Sequence, residues 1–440
     1  MSILSELTDL VPGRAHGPGA SEYDAGRTVF AGVGDPEAVV RPHTVGEVAL
    51  AVRLAAAAGL PIAVRSGGHG LMPVEDGLVI DLAEFNTVEL GDRGLVTVGG
   101  GARWGDVVAA LAPHGLSVSS GDTRDVGVGG LALGGGIGWL VRGQGLAIDR
   151  LREAELVTAS GEVLTVNAEQ HPEVFWALRG GNGNFGVVTR FVFEAGPADG
   201  LVGGHVHFDT SDVPAVMRAW RDVMRAGPDE LNSTLMVMPP FGPEMPGGPQ
   251  LAVALQGTEQ QLRELLEPLL SLPSVTEVSL APVEYGDLLE DAPPGRPPFL
   301  FVGGNGFVPE LTDAALNAAA AAYAREVPTM IMLRGLGGEF SRVAPDATAI
   351  AHRDAEAFLI VNGVLPADST PEQLAAARAG SDTALAFTSG VYGNFSVDRG
   401  EEVIAAMYPP ATLERLRRVK AQLDPGNVFR QNHNITPAAG

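Results

Sequence analysis

The chain has 440 residues, with 29 Lys and Arg against 53 Asp and Glu, giving a formal net charge of -24 at pH 7. Such a charge repels phosphate backbones and anionic lipid heads, so nucleic acid and membrane surfaces are excluded as expected partners. A hydrophobic share of 45% supports packed cores, the length points to two domains, and zero cysteines exclude disulfides, thiolate metal sites and cysteine nucleophiles.

The opening MSILSELTDLVPGRAHGPGA carries acids where an export signal needs basic residues, and no apolar run follows. The expectation is a reducing, cytoplasmic setting. After this polar lead, HTVGEVALAVRLAAAAG predicts a helix. Thr44 and Glu47 have capping-box spacing, Val45, Val48, Val52 and Ala55 recur at helical intervals, and Gly59 sits where a C-terminal glycine belongs. Pro61 then starts PIAV, read as a buried strand, which runs into RSGGHG.

GLVIDL and LVTVGG predict further strands, followed by a short helix over 104–111 that ends before Pro113. Residues 126–141 are uncharged but broken by glycines and too short to span a bilayer, so they read as a loop system. AELVTASGEVLTV has the signature of a hairpin turning at Ser160 and Gly161. HPEVFWALRG gives a helical turn or two, and VVTRFVFEA a strand that closes an α+β unit near Pro197.

Beyond that point, strand-like VGGHVHF, STLMVM, LAVALQG, SVTEVSL, TMIMLR and AFLIVNGV alternate with helical VPAVMRAWRDVM, TEQQLRELLEPLLS and LTDAALNAAAAAYAREV. Two Pro-rich segments, MPPFGPEMPGGPQ and EDAPPGRPP, read as surface loops or pocket lids. The tail helix YPPATLERLRRVKAQL stops at DPGN. No repeat of fixed period occurs.

The chemistry concentrates in the glycines. AVRSGGHG and residues 120–151, SGDTRDVGVGGLALGGGIGWLVRGQGLAIDRL, place successive backbone N–H groups where they can cradle phosphate oxygens. Two such nests suggest a diphosphate cofactor. The glycine density produces G-x-G-x-x-G spacings, but no strand-turn-helix unit or acidic partner surrounds them, and no Gly-Lys-Ser/Thr triplet exists. No histidine pair has metal-ligand spacing and no G-x-S-x-G elbow appears, so metal and acyl-transfer chemistry are set aside. On these residues alone, His69 reads as a turn residue or a satisfied polar side chain.

AVRSGGHG, DVGVGGLALGGGIGWLVRGQGLAIDRL, PEVFWALRGGNGNFGVVT and LDPGNVFRQNHNI together resemble the four signatures of the berberine-bridge-enzyme-like flavoproteins. These lie within the vanillyl-alcohol-oxidase superfamily. The resemblance implies an α+β fold: a PCMH-type two-part FAD-binding domain plus a substrate domain with an antiparallel sheet covered by helices. The implied boundaries are 1–197 for the FAD domain (PCMH-type over roughly 36–197), 198–395 for the substrate domain, and 396–440 for a segment returning to the FAD domain.

It further implies FAD bonded through its 8α carbon to His69, with Arg65, Ser66, Gly67, Gly68 and Gly70 around the pyrophosphate. Thr123 falls where doubly tethered members have cysteine, so a single link of the 6-hydroxynicotine-oxidase type is expected. Val126 matches the oxygen-gate position, and valine there is associated with use of dioxygen. Gly127, Gly130, Gly136 and Ile137 are expected along the FAD, with backbone contacts from Gly186 and Val188, and with Asn432 and Asn434 closing over it.

GVYGNFSVD resembles the family's Y-x-N segment, which makes Tyr392 the residue that removes or guides a proton and Asn394 the one that orients it. A phenol of ordinary pKa near 10 needs a cationic or hydrogen-bonding neighbour for that work. LRGLGGEFSRVAPDATAIAHRDAEAF matches a family pattern that puts His352 and Arg353 on a strand facing the ring, as substrate residues. The implied activity is hydride transfer from a small-molecule alcohol, amine or natural-product intermediate to covalent FAD, with dioxygen reduced to hydrogen peroxide and no metal. The alternative is a cyclase or dehydrogenase of secondary metabolism, its flavin structural or reoxidised by another acceptor.

Overall fold

The computed structural model describes residues 3–242, 247–292 and 299–439. The middles of both Pro-rich segments, 243–246 and 293–298, lie outside the described residues. The helix after the polar lead runs Val45–Ala57, and Thr44 and Glu47 form the expected reciprocal cap. It packs Val48, Val52 and Ala55 onto a four-stranded sheet in which Ala38–Val40, Leu78–Asp81 and Ile62–Arg65 are parallel.

Ile62–Arg65 is the edge of that sheet, and only Ile62 in it is buried. The reading of PIAV as a buried strand is therefore corrected: an edge strand leaves one side of its backbone unpaired, and the chain turns from it into RSGGHG at the surface of the core. A second sheet is antiparallel, in the order Val163–Asn167, Leu151–Val157, Val187–Glu194, Leu95–Gly99, Val88–Leu90. Its hairpin turns at Gly161 as the sequence predicts. The 126–141 stretch is not wholly loop: Val128–Gly134 is a short helix, whose Val128 and Ala132 are buried in the core against Trp104 and Phe191.

The third sheet has seven antiparallel strands, ordered Val275–Val283, Leu201–Phe208, Gly248–Gln256, Leu231–Met238, Thr329–Gly335, Ala357–Pro366, Phe299–Val308. One face carries Leu235, Val237, Ile331, Leu333, Leu359 and Val361, which pack under the helices Val213–Ala226, Glu259–Leu270 and Asp313–Tyr323. The alternate residues Met332, Phe358 and Ile360 form a separate cluster with Ile137, Val141 and Tyr392. The period of two thus gives the sheet a structural face and a face turned to the glycine-rich segment.

The strand Phe299–Val308 and the helices Ile3–Leu10, Pro371–Leu385 and Glu401–Met407 are elements the sequence pattern does not announce. His352 lies in irregular chain and Arg353 in the turn that follows it, both before the strand Ala357–Pro366, which corrects their placement on a strand. The tail helix is Pro410–Leu423. Among the described residues, no helix is long and apolar enough to cross a membrane.

Candidate active site

The two glycine loops meet backbone to backbone. A Cβ on Gly67 would lie 2.4 Å from the Gly127 nitrogen, and one on Gly127 would lie 2.1 Å from the Gly67 nitrogen. Ser66 fastens the contact: its hydroxyl donates to the Gly100 carbonyl at 2.7 Å and accepts from the Gly129 N–H at 3.3 Å. Gly68 has φ 76°, a left-handed conformation that suits glycine, and the Arg65 guanidinium lies where its Cβ would be. Arg65 reaches the buried Asp81 at 3.4 Å, while its Nε is buried without a partner.

His69 stacks on Phe30 with ring centroids 4.7 Å apart and an interplanar angle of 18°. Burial lowers its pKa below the ordinary imidazole value, against the pull of Asp122 and Asp125, so the ring is neutral at pH 7. Gly70 follows with open space at its Cα, as does the exposed Gly130. Thr123 and Val126 are half-buried on the loop facing these glycines, and Thr123 bonds only to Asp122 through its hydroxyl.

The next part of the second loop is shaped around Tyr392 and Asn394. A Cβ on Gly134 would lie 2.2 Å from Asn394 Oδ1, and one on Gly135 3.0 Å from the Tyr392 ring. The Gly136 N–H donates to the Tyr392 oxygen at 2.8 Å, and Asn394 Nδ2 donates to it at 3.0 Å. The Tyr392 N–H donates to Asn305 Oδ1 at 2.9 Å. Both bonds accepted by the phenol favour phenolate, but burial dominates and pushes its pKa up to about 12. Ile137, buried beside Tyr392, belongs to the same apolar cluster.

The tail is held by a buried charge pair. Lys420 donates to Asp424 at 2.7 Å and to the carbonyls of Asn184 and Phe429, while Asp424 accepts from the N–H groups of Val428 and Phe429. Asn184 then bonds the His433 carbonyl and the Ile435 N–H. Between those anchors, Asn432 Oδ1, Asn434 Oδ1 and His433 Nε2 are buried with no partner among the described residues. Buried polar atoms in native proteins are nearly always satisfied, so three orphans in one segment mark a surface completed by something else.

Gly186 and Val188 are buried within the second sheet: a Cβ on Gly186 would meet the Val157 carbonyl at 2.3 Å, and the Val188 side chain belongs to the core. Both face protein rather than an open groove. Arg353 is 1% exposed and committed to Asp149, through two bonds of 2.8 Å, and to Thr348 and the Ile350 carbonyl. It ties the segment before the last long strand to the end of the second loop, and so corrects its assignment as a substrate residue. His352 stacks on Phe307 with centroids 5.6 Å apart, is neutral through burial, and presents an unpartnered Nε2. Asn305, Asp149, Lys420 and Arg334, which pairs with Asp122 at 2.9 Å, are site-building residues that the sequence reading does not single out.

Residues 36–167 match the family described as FAD binding domain, and residues 392–436 match Berberine and berberine like. The chain is 32% identical over 396 residues to the uncharacterized FAD-linked oxidoreductase YgaK of Bacillus subtilis (strain 168), covering 86% of each. It is 29% identical to the (R)-6-hydroxynicotine oxidase of Paenarthrobacter nicotinovorans, covering 96% of each. The solved glucooligosaccharide oxidase of Acremonium strictum, with its 6-S-cysteinyl, 8α-N1-histidyl FAD, shares the fold with a TM-score of 0.87, 24% identity and full coverage of both chains. The paired glycine loops, the Tyr392 site and these matches make the chain a member of the berberine-bridge-enzyme-like FAD-linked oxidoreductases.

Proposed function

We propose that the protein is an FAD-dependent oxidase of a small-molecule C–H bond, in an alcohol, amine or natural-product intermediate, with the cofactor joined through His69 alone. The observation that carries this reading is the convergence on Tyr392: one phenol oxygen is bonded to the glycine loop at Gly136, while its ring lies in the cluster beneath the long sheet. The residues fit FAD. Both loops expose backbone, and Arg65 Nε, Asn432 Oδ1 and Asn434 Oδ1 are buried polar atoms still lacking a partner.

Bound FAD would supply a hydride acceptor for the substrate carbon and, with the proton released by the substrate, a route for both to dioxygen as hydrogen peroxide. Arg65, Ser66, Gly67, Gly68 and Gly70 hold the diphosphate through backbone N–H groups and one guanidinium. His69 is neutral, as a ring nitrogen that forms a bond to carbon must be. Thr123 has no thiol, so the second tether found in the glucooligosaccharide oxidase has no counterpart at this position. Val126 would stand at the dioxygen gate, and Gly127, Gly130, Gly136 and Ile137 would line the cofactor's path.

Tyr392 works as a neutral phenol near pH 7, since its pKa stands at about 12. Its oxygen accepts from Gly136 and Asn394, so its O–H is left to donate to the substrate heteroatom and orient it, while the heteroatom's own proton leaves to solvent as the C–H bond breaks. Asn394 fixes the phenol's direction. His352, stacked behind Phe307, shapes the pocket wall.

The test is stoichiometry in an oxygen electrode during a screen of alcohols and amines. One dioxygen consumed and one peroxide formed per carbonyl or imine supports the oxidase. Turnover without oxygen uptake overturns it and transfers the chain to the cyclase or dehydrogenase reading.

A further inference from the structure

The face of the long sheet that meets Tyr392 mixes apolar and amide side chains, with no unpaired charge, in rows that strand register defines. In one row Gln250, Met236, Met332, Ile360 and Asn305 are direct cross-strand partners over five strands. One step farther from Tyr392, Met330 pairs with Asn362 and that with Gly303. Met332 and Ile360 are buried whereas Met236, Met330 and Asn362 are half-buried, so the floor opens outward. At its rim Phe301 and Phe395 are 46% and 45% exposed, and the Phe395 ring lies 6.0 Å from that of Tyr392.

Despite the chain's net charge of -24, none of the residues on this face of those five strands is acidic. The one cation among them, Arg334, is paired with Asp122 and lies against Trp139. Beside Tyr392, Asn305 gives its Oδ1 to the Tyr392 N–H and keeps a buried Nδ2 without a protein partner. A buried donor of this kind wants one acceptor oxygen.

Resting on the oxidase reading of the same site, we propose that the substrate is an uncharged, predominantly apolar molecule of at least two fused rings or equivalent hydrocarbon bulk. It carries a single oxygen near the reacting carbon rather than the hydroxyl array of a sugar. The methionines supply a polarisable floor that conforms to irregular hydrocarbon shapes and aromatic rings. A sugar would strand most of its hydroxyls against the half-buried Met236 and Met330, and each unmatched hydroxyl costs affinity. An ammonium would find no carboxylate on the floor.

Calorimetric titration of the holoenzyme with 1-naphthalenemethanol, benzyl alcohol and cellobiose tests this directly, because binding heat does not depend on flavin colour. The expected result is binding of 1-naphthalenemethanol about tenfold tighter than benzyl alcohol, from the added apolar area, with no saturable heat from cellobiose. Met330→Gln, at a half-buried position that tolerates a polar side chain, is expected to weaken 1-naphthalenemethanol by about threefold to tenfold and leave unfolding temperature unchanged. Preferential binding of cellobiose, equal affinity for the two alcohols, or an unchanged affinity in Met330→Gln overturns the proposal. Oxygen uptake and peroxide formation by the same sample, read in an oxygen electrode, score the oxidase reading separately.

Discussion

Gly136 gives its N–H to the phenol oxygen of Tyr392 at 2.8 Å, although 256 residues separate them. The donor belongs to the glycine-rich second loop and the acceptor to the chain returning from the long sheet. One hydrogen bond therefore fixes the distance between the cofactor loop and the substrate face. Tyr392→Phe removes the acceptor and leaves a buried N–H unsatisfied, for a loss of about 1–3 kcal/mol. The protein is expected to fold and keep its flavin, while anaerobic stopped-flow flavin reduction slows by roughly 10²-fold or more. An unchanged reduction rate would contradict the substrate-orienting role.

The same phenol makes alkaline stability a reporter of burial. Its pKa stands at about 12 in the folded chain against 10.0 for an ordinary tyrosine. The folded state thus favours the protonated form, and the unfolded chain ionises first. Stability is fully present below pH 10 and is lost as pH rises from about 10 through about 12, by on the order of 2–3 kcal/mol for this group. Buried Tyr285 and Tyr408, also raised by desolvation, add to the loss. Melting temperatures between pH 8 and 11.5 should fall steeply at the top of the range, and less steeply in Tyr392→Phe.

At Gly67 and Gly130 the same substitution should have opposite outcomes. Alanine at Gly67 would drive a Cβ to 2.4 Å from the Gly127 nitrogen, forcing the two loops apart, whereas the space around Gly130 is open. Gly67→Ala is expected to lose FAD and several degrees of melting temperature. Gly130→Ala should keep the apo-chain melting temperature within about 1 °C. Flavin absorbance per chain and differential scanning fluorimetry measure both, and equal behaviour of the two variants would contradict the meeting of the loops.

Lys420 and Asp424 are fully buried and bonded at 2.7 Å. Lys420→Met leaves Asp424 as an uncompensated buried charge, so a loss of about 3–5 kcal/mol in urea unfolding is expected. Because the pair anchors the segment carrying Asn432 and Asn434, FAD incorporation should fall with it. A loss below about 1 kcal/mol would show that the tail is held elsewhere.

The parts of the structure legible in the sequence are those with local signals. The Thr44 and Glu47 cap, the Gly161 hairpin and the short helix at Trp104 each declare themselves within a dozen residues. The strand Phe299–Val308 does not, because Gly303, Gly304 and Gly306 dilute its β pattern after a Pro-rich run; yet Gly306 has no room for a side chain against Thr388. The helix Pro371–Leu385 is rich in Ala, with no strong apolar stripe, and its Thr370 cap alone marks it. At the site, the glycine loops, His69, Tyr392 and Asn394 stand out as motifs. Arg353 reads as a substrate residue because a sequence gives no hint that Asp149, 204 positions away, neutralises it. Lys420 is hidden for the same reason, since a lysine in a charged amphipathic helix reads as solvent-facing. Register brings Met236 beside Met330 and Met332 from two separate strands, so no single stretch of sequence displays the floor.

The neutral state of His69 fixes how cofactor attachment depends on acidity. Its pKa is lowered from 6.5 by burial, so the attacking form persists down to that pH and is lost only below it. Covalent incorporation of added FAD into the apo chain should hold its rate around neutral pH and slow in more acidic buffer, with its midpoint below the ordinary imidazole value. A rate midpoint above pH 7 would contradict a buried neutral imidazole.

The most direct test of the account is the intact mass of the purified, fully denatured chain, with its visible spectrum before and after acid precipitation. An added mass of one FAD, colour retained in the pellet, and loss of both in His69→Ala are the predicted results. A bare chain mass, with flavin released to the supernatant, would contradict the covalent role of His69.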